Sequence, residues 1–546
     1  MAIPFPPRAS PAFSLTEKKV LIIDDMPDMR STIRSQIQNL GIKNIFLAAN
    51  VREALGLIKQ RSFDVILCDY NLGNSTNGQQ FLEHLRSSNI ISRATLFIMI
   101  TAETSFNSVM TAAECMPDDY LLKPFTGETL KLRFERLLER KARLAVIDQL
   151  QDKGAWPEII RACDAIIASK DKFVIDAMRI KGNALLMLNE VEKAIHFYEE
   201  ASKLRNMPWA KLGLAKAYKS NKQTELAQHL LEDIIKENPR LLAAYDFLGR
   251  IHTEAGNSDK ALEVLEDACK IAPQSLARHR SIANLAEEIG DFSRVDKALC
   301  VVIKQTKNSP LRDTKDFVRL LNALSETGEL ERADNIFKEA KESFKEANEV
   351  RLFAATEAVI HKKNGKNDLA KKALEIAMRH DDEQISAETN LAIAKACLVH
   401  GKEFEANQIL KTLVQNDPDS NKIKASVGAV LKNYGGAAAS DQLIADSIKE
   451  VINLNNEAVQ KAKAGELTEA SNMLSEAALR LPNNLQITSN AALCILMDIL
   501  SNGFSIDKSL QAKRFQDAVA KQDSQYPRLA ELVALQEKIQ LKYKNT

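Results

Sequence analysis

Between residues 256 and 482 a glycine is repeatedly followed, at fixed intervals, by small and apolar residues and then by a proline. The glycine permits a turn between two helices, the small residue lets those helices approach closely, and the proline stops the second helix. The pattern therefore predicts antiparallel helix pairs stacked along the chain. The three complete sets are Gly256, Ala261, Leu265, Ala268 and Pro273; Gly401, Ala406, Leu410, Leu413 and Pro418; and Gly465, Ala470, Leu474, Ala477 and Pro482.

Two further sets, which begin at Gly328 and Gly365, keep this spacing without the proline. The pattern resembles tetratricopeptide repeats (TPR), whose period is about 34 residues. Tyr245, Leu248 and Gly249 match the first helix of that repeat. A generic α-solenoid built from helical hairpins is the alternative interpretation.

We expect this all-α TPR-like solenoid to occupy residues 141–484, in about eight or nine units, and to end in a helical cap at residues 485–546. A solenoid exposes a long concave surface. No repeat carries a cluster of His, Cys or carboxylate residues that indicates chemistry. We therefore expect the array to bind a protein or peptide ligand.

Residues 18–140 have a different pattern, in which short apolar runs alternate with amphipathic stretches. Apolar runs bounded by charge are typical of strands buried on both faces, and the stretches between them predict helices. Five such βα units form a doubly wound parallel sheet with right-handed crossovers. The predicted strands are 19–23, 45–49, 63–68, 95–100 and 119–122.

Five chemically capable residues lie at the carboxyl ends of these predicted strands. In a doubly wound sheet those ends meet at one edge, where ligands bind. Three ionised carboxylates share a small pocket only when a cation neutralises them, and oxygen ligands favour Mg²⁺. A carboxylate can then act as a nucleophile toward a phosphoryl group while an ammonium and a hydroxyl bind its oxygens. The residues are Asp24, Asp25, Asp69, Thr101 and Lys123.

These residues, together with Pro124, resemble the receiver domain of bacterial two-component response regulators over about residues 18–140. The resemblance implies a flavodoxin-like α/β fold with a five-stranded parallel sheet. It also implies that Asp69 accepts a phosphoryl group from a sensor histidine kinase or a phosphotransfer protein. Thr101 and Lys123 would contact the phosphoryl oxygens. Taken alone, a strand-end aspartate such as Asp69 is more often a helix N-cap or a solvated loop acid.

The same resemblance implies a magnesium site and a set of tuning residues. Asp25 and Asp69 would bind Mg²⁺ together with the backbone carbonyl of Asn71, and Asp24 would assist, often through water. The Lys123-Pro124 bond is expected to be cis. The remaining tuning positions are Tyr120 as the switch aromatic, and Asn71 and Glu103 as residues that set the lifetime of the phosphoryl group.

The loop after Asp69 departs from the pattern of this family. Receivers usually carry a proline four residues after the phosphoacceptor, where this chain has Gly73, and a glycine four residues beyond that, which this chain reaches one residue late at Gly78. The loop is therefore longer and freer. The carbonyl of Asn71 is the metal ligand whose geometry this change affects most.

The composition limits the classes of function. The 74 basic and 73 acidic residues give a formal net charge of +1, which argues against nucleic acid and anionic membranes as partners. The seven cysteines are scattered, as expected of reduced thiols in a cytoplasm. Residues 1–17 predict a disordered leader, and no apolar run reaches the length of a membrane helix.

The leading hypothesis is a cytoplasmic response regulator, not an enzyme acting on an external substrate, in which phosphorylation of Asp69 changes what the array binds. A nucleic-acid-binding regulator controlled by the receiver is the first alternative. The balanced charge and the absence of a recognisable helix-turn-helix argue against it. An enzyme that uses an aspartyl intermediate is a third hypothesis, and the sequence offers no substrate pocket for it.

Overall fold

The computed structural model describes residues 15–73, 76–102, 117–204, 207–307, 309–379, 385–434 and 437–543. The chain forms two compact units, Met1–Glu329 and Leu330–Thr546. The first unit contains a parallel β-sheet and a run of helices that follows it, and the described part of the second unit is helical.

The sheet has five parallel strands in the order β2-β1-β3-β4-β5, which confirms the predicted doubly wound α/β fold. Three strands, β2, β3 and β4, differ by one or two residues at their ends from the predicted ranges. The apolar run that begins at Phe63 enters strand β3 at Val65, and the Asp64 carboxylate just before it accepts hydrogen bonds from the side chain of Lys18 and the backbone of Lys19. The strands are β1 Lys19–Ile23, β2 Asn44–Ala48, β3 Val65–Asp69, β4 Leu96–Thr101 and β5 Asp119–Leu122.

Helices cover both faces of this sheet, which explains why the central strands are apolar without alternation. Val20 and Ile22 of β1 pack in one apolar cluster, whereas Leu21 and Ile23 pack in a second cluster on the opposite face. The described helices of the α/β domain are α1 Pro27–Asn39, α2 Val51–Gln60, α3 Gly78–Ser87 and α4 Gly127–Asp152.

Helix α4 joins the α/β domain to the helices that follow it. The predicted domain boundary at residues 140 and 141 lies inside this helix, because residues 128–153 contain neither glycine nor proline. Arg133 and Arg136 of α4 donate hydrogen bonds to Asp119 of β5 at 2.9–3.0 Å. These ion pairs fix the direction in which the chain leaves the sheet.

The rest of the first unit consists of helical hairpins of the predicted type. Residues with positive φ lie in the turns between paired helices and recur 33 to 38 residues apart, at Asn189, Lys222, Gly256, Gly290 and Gly328 in this unit and at Gly365 and Gly401 in the second unit. The helices are α5 Trp156–Ala168, α6 Val174–Met187, α7 Val191–Leu204, α8 Pro208–Ser220, α9 Thr224–Glu237, α10 Leu242–Glu254, α11 Ser258–Ile271, α12 Leu276–Glu288, α13 Phe292–Gln305 and α14 Thr314–Glu326.

Small residues let these helices pack closely, as the repeat pattern predicts. Tyr198 of α7 is 1% exposed and lies between Gly182 of α6 and Gly213 of α8. A Cβ atom at either glycine would come within 2.4 Å of the tyrosine ring. These two glycines therefore leave the space that the buried ring occupies.

Among its described residues, the second unit has an apolar cluster formed between residues 354 and 448 and another formed between residues 451 and 543. None of the described helices in either unit combines the length and apolar composition that crossing a membrane requires. The helices are α15 Leu330–Ser343, α16 Ala347–Lys363, α17 Asn367–Ala377, α18 Ala387–Val399, α19 Glu403–Asn416, α20 Asn421–Tyr434, α21 Ala437–Lys463, α22 Leu467–Arg480, α23 Leu485–Asn502, α24 Ile506–Gln522 and α25 Leu529–Lys542.

Candidate functional site

The register of the sheet brings the strand-end residues together. Ile23 of β1 lies opposite Cys68 of β3, so Asp24 lies beside Asp69. On the other side, Thr101 of β4 lies opposite Leu122 of β5, and the Lys123 amide donates to the Thr101 carbonyl at 2.7 Å. The four loops therefore meet at the carboxyl edge of the sheet.

The acidic residues form a compact group at this edge. Asp24, Asp25 and Asp69 each offer a carboxylate oxygen, and these oxygens all lie within 4.8 Å of one another. Asp24 is fully buried and Asp69 is 7% exposed, whereas Asp25 is exposed to solvent. A group made only of hard oxygen donors, open on one side, is suited to a divalent cation that keeps some of its water.

Lys123 supplies positive charge to two of these carboxylates. Its Nζ lies 2.9 Å from Asp24 Oδ2 and 3.0 Å from Asp69 Oδ2. Burial raises the pKa of Asp69, and the neighbouring charge of Asp24 adds to this, although Lys123 opposes both. Burial disfavours the charged form of Lys123, but its hydrogen bonds to Asp24 and Asp69 outweigh this and raise its pKa. The ammonium therefore stays protonated between the two acids.

Asp24 is also held by Arg30 of α1 and by Met26 just before this helix, which the sequence did not single out. Arg30 donates from Nη1 to the Asp24 carbonyl oxygen at 2.6 Å, and the Met26 amide donates to Asp24 Oδ1 at 2.9 Å. Pro27 is the first residue of α1, where a missing amide proton costs little. The only sequence signal for Arg30 is its place in the first turns of the helix that follows the acidic pair.

Thr101 and Tyr120 lie on adjacent strands. Thr101 is the last residue of β4 and is 3% exposed. Tyr120 is half-buried and packs against the same apolar cluster as Leu21 and Phe97. Among the described residues its buried hydroxyl has no hydrogen-bond partner, and burial raises its pKa. The ring therefore points toward the interior in this structure.

The loop after Asp69 runs close to the acidic group. Asn71 is exposed, and Gly73, at φ +76°, lies so close to Asp25 that an added Cβ would be 3.4 Å from Asp25 Oδ2. The Lys123–Pro124 bond is cis, as the resemblance implied. Glu103, the other predicted lifetime residue, lies outside the described residues.

Comparisons with known proteins agree with this geometry. A family model described as response regulator receiver domain matches residues 20–135. The chemotaxis protein CheY-3 of Vibrio cholerae is 31% identical over 122 residues, which are 22% of this chain and 92% of that protein. The chain belongs to the response regulator receiver family. The chemotaxis protein CheY of Pseudomonas aeruginosa is also 31% identical over 122 residues and is matched over 97% of its length.

Solved structures and a second family model complete the comparison. The chemotaxis response regulator CheY4 of Vibrio cholerae is 31% identical, with a TM-score of 0.20, and the match covers 22% of this chain and 98% of that one. The receiver domain of Francisella response regulator 1452 gives 31% identity, a TM-score of 0.21, and coverage of 23% and 98%. A model described as tetratricopeptide repeat matches residues 212–275. The chain is thus a receiver joined to TPR-type repeats.

Proposed function

We propose that this chain is a phospho-accepting response regulator of a two-component phosphorelay, with Asp69 as the phosphoacceptor. The observation that carries the proposal is the group formed by Asp24, Asp25 and Asp69, whose oxygens lie within 4.8 Å of one another, with Lys123 in contact with two of them. Such an arrangement at the carboxyl edge of a receiver sheet is suited to phosphoryl transfer onto a carboxylate.

Asp69 acts as the nucleophile in this proposal. One of its carboxylate oxygens forms a bond to phosphorus, while the bond between phosphorus and a nitrogen of the donor phosphohistidine breaks. The donor is a sensor histidine kinase or a phosphotransfer protein, and its imidazole leaves with the electron pair of the broken bond. Lys123, already 3.0 Å from Asp69, is placed to bind an oxygen of the transferred group and to balance its charge.

The carboxylates of Asp24, Asp25 and Asp69 and the backbone carbonyl of Asn71 would hold Mg²⁺. When bound, this ion supplies positive charge toward the oxygens of the phosphoryl group. The fit rests on the donor set, which consists of oxygens only, and on the exposure of Asp25 at the open side of the group. Lys123 balances Asp24 and Asp69 when the cation is absent.

Four further residues act on the transferred group or respond to it in this proposal. The Thr101 hydroxyl bonds a phosphoryl oxygen, and Tyr120, whose hydroxyl is buried, adopts the inward position that accompanies this bond. Asn71, which is exposed at the mouth of the site, and Glu103 set the rate at which water removes the phosphoryl group.

The signal leaves through the helical array. The phosphoryl group adds about −1.5 to −2 charge at pH 7, enough to bias a surface that has two arrangements. We expect the array to bind a protein or peptide and the phosphorylation state of Asp69 to change that binding. In this proposal the protein is cytoplasmic and is a switch, not an enzyme with an external substrate. The described cysteines are all free, as they would be in a reducing compartment.

Phosphorylation of the purified full-length chain by acetyl phosphate and Mg²⁺ tests the proposal. Intact-mass spectrometry should show one added phosphoryl group in the wild type and none in Asp69→Asn. Asp28→Asn, which changes an exposed acid on α1, is the matched control and should be modified like the wild type. Absence of any mass gain in the wild type would contradict the proposed function.

A further inference from the structure

The connection between β3 and α3 is bound by the repeat array. Thr76 and the N-cap residue Asn77 precede α3, and Gln80 lies in its first turn. Their partners lie at the end of α13 and in the loops that follow α11 and α13, about 200 residues further along the chain. The hydroxyls of Thr76 and Ser309 are hydrogen-bonded to each other, and both residues are buried.

Gln80 uses its whole side-chain amide at this contact. Its Nε2 donates to the Gln274 carbonyl oxygen at 2.9 Å and to Gln305 Oε1 at 2.8 Å. Its Oε1 accepts the backbone amide of Asn77 at 3.2 Å, which completes the capping box of α3. Gln80 is 5% exposed. One buried side chain therefore both caps α3 and attaches it to the array.

Gln274 contacts the receiver on the side nearer the phosphoacceptor. Its Oε1 accepts the Tyr70 hydroxyl at 3.1 Å and the Asn77 side-chain amide at 2.6 Å. Tyr70 follows Asp69 directly in the chain. The Gly78 amide donates to the Tyr70 carbonyl at 2.8 Å, so the start of α3 is tied to the same residue. The array thus contacts the residues on both sides of the loop that carries Asn71.

The loop between these contacts is the one that departs from the family pattern. The chain lacks the proline that stiffens the loop in most receivers and has Gly73 there, with an additional residue before Gly78. A longer and freer loop fixes the Asn71 carbonyl less well. Anchoring both ends of the loop to a rigid element restores the order that the missing proline would give.

We propose that Gln274, supported by Gln305, is a positioning residue for the phosphorylation site. It holds the loop after Asp69 so that the Asn71 carbonyl points toward the acidic group. The inference rests on the proposed function, because it assigns the loop a role in binding Mg²⁺. Coupling between two sites is reciprocal, so a change at Asp69 must also alter the contact with Gln274.

Hydrogen exchange of the full-length chain, without metal or phosphodonor, tests the anchoring itself. Gln274→Ala removes the acceptor of two hydrogen bonds, so amide exchange in residues 70–80 should accelerate by about fivefold. Gln274→Glu keeps an acceptor oxygen for both donors and should restore wild-type exchange. Gln408→Ala, on the exposed surface of α19, is the matched control and should leave these residues unchanged. Equal exchange of residues 70–80 in all four proteins would overturn the inference.

The Mg²⁺ dependence of phosphorylation tests the consequence for the site. We expect Gln274→Ala to need about fivefold more Mg²⁺ for half-maximal modification by acetyl phosphate, a factor that corresponds to about 1 kcal/mol of net hydrogen bonding. Adding Gln305→Ala should increase the effect, and Gln274→Glu should behave like the wild type. If the wild type is modified and Gln274→Ala has the same Mg²⁺ requirement, the inference fails while the proposed function stands. If the wild type is not modified at all, the proposed function itself fails.

Discussion

Lys123 is the cation that the structure places among the acids of the site. It contacts the fully buried Asp24 and the nearly buried Asp69, and its own side chain is 15% exposed. A buried carboxylate that loses its partner is strongly destabilising, because the remaining charge stays desolvated. The same ammonium must also share these carboxylates with any bound divalent cation. We therefore predict that Lys123 affects both the stability of the receiver and its affinity for Mg²⁺.

Replacement of Lys123 by methionine, which is of similar length but uncharged, separates these two effects. Without metal, the free energy of unfolding of Lys123→Met should fall by about 3 kcal/mol, because two neighbouring carboxylates lose their shared counter-charge. Mg²⁺ should then raise the unfolding midpoint more in the variant than in the wild type, since it no longer competes with the ammonium. Urea unfolding followed by circular dichroism, with EDTA or with Mg²⁺, measures both quantities.

The matched control is Lys131→Met, a substitution in helix α4. Lys131 is exposed and pairs only loosely with Glu135, at 3.9 Å. Its loss should change stability by less than about 0.5 kcal/mol, with or without Mg²⁺. An equal gain from Mg²⁺ in Lys123→Met and the wild type would show that Lys123 does not compete with the metal.

The positions of the residues at the strand ends could be predicted from the sequence. The residues that hold them in place could not. Parallel strands put their carboxyl ends at one edge, so Asp24, Asp69 and Thr101 had to lie close together. Arg30 reaches the Asp24 carbonyl through a side chain whose direction depends on how α1 packs. Gln80 finds its partners, Gln274 and Gln305, about 200 residues later in the chain. The spacing of apolar residues in the sequence predicts neither the direction of the Arg30 side chain nor the long-range partners of Gln80.

At the scale of the secondary-structure element, the first residue of α3 packs closely against the last residue of β3. Gly78 is the first residue of α3, and a Cβ atom there would lie 2.5 Å from the Asp69 carbonyl oxygen and 2.8 Å from Met99 Sδ. The first contact is with backbone, which cannot move without shifting Asp69. The glycine thus permits a close approach that couples the position of the helix to that of Asp69.

Substitution of Gly78 tests this close approach. Gly78→Ala should lower the free energy of unfolding by about 2 kcal/mol, because the added methyl group forces the helix away from the strand. Gly56→Ala is the matched control, since Gly56 lies inside α2 with no atom within 4 Å of an added Cβ. Alanine there should stabilise the protein by about 0.5–1 kcal/mol. The approach is not tight if both variants unfold at the same urea concentration.

The sequence predicted correctly that the array consists of helical hairpins, but it did not mark every turn or the end of every helix. The turn glycines marked the repeats at Gly256 and Gly401, but the turns at Asn189 and Lys222 have no glycine and reach positive φ without one. Helix α4 runs past the predicted domain boundary because no breaker stops it before Gly154. The predicted boundary at residues 140 and 141 came from the extent of the resemblance to receiver domains, whereas the local sequence determines where a helix ends.

At the scale of the first unit, loops of the helical array contact the α/β domain that precedes them in the chain. The α/β domain leads through α4 into the array, and the loops that carry Gln274 and Ser309 contact the connection between β3 and α3. Arg140 of α4 adds a second link, since it pairs with Asp176 of α6 at 2.7 Å and with Asp118 beside β5 at 3.7 Å. The proposed phosphorylation site is thus connected by hydrogen bonds to the array that we propose to bind a partner.

Hydrogen exchange on the phosphorylated full-length chain tests this coupling most directly. After treatment with acetyl phosphate and Mg²⁺, wild-type peptides that contain Gln274 and Ser309 should change their exchange rate by about fivefold, because the hydrogen bonds to the loop after Asp69 are rearranged. Asp69→Asn under the same conditions should show no change in these peptides. Intact mass must confirm that the wild type carries the phosphoryl group. If the modified protein exchanges throughout the array at the rate of the unmodified one, phosphorylation of Asp69 does not affect the repeats. That result would contradict the proposed coupling between Asp69 and the array.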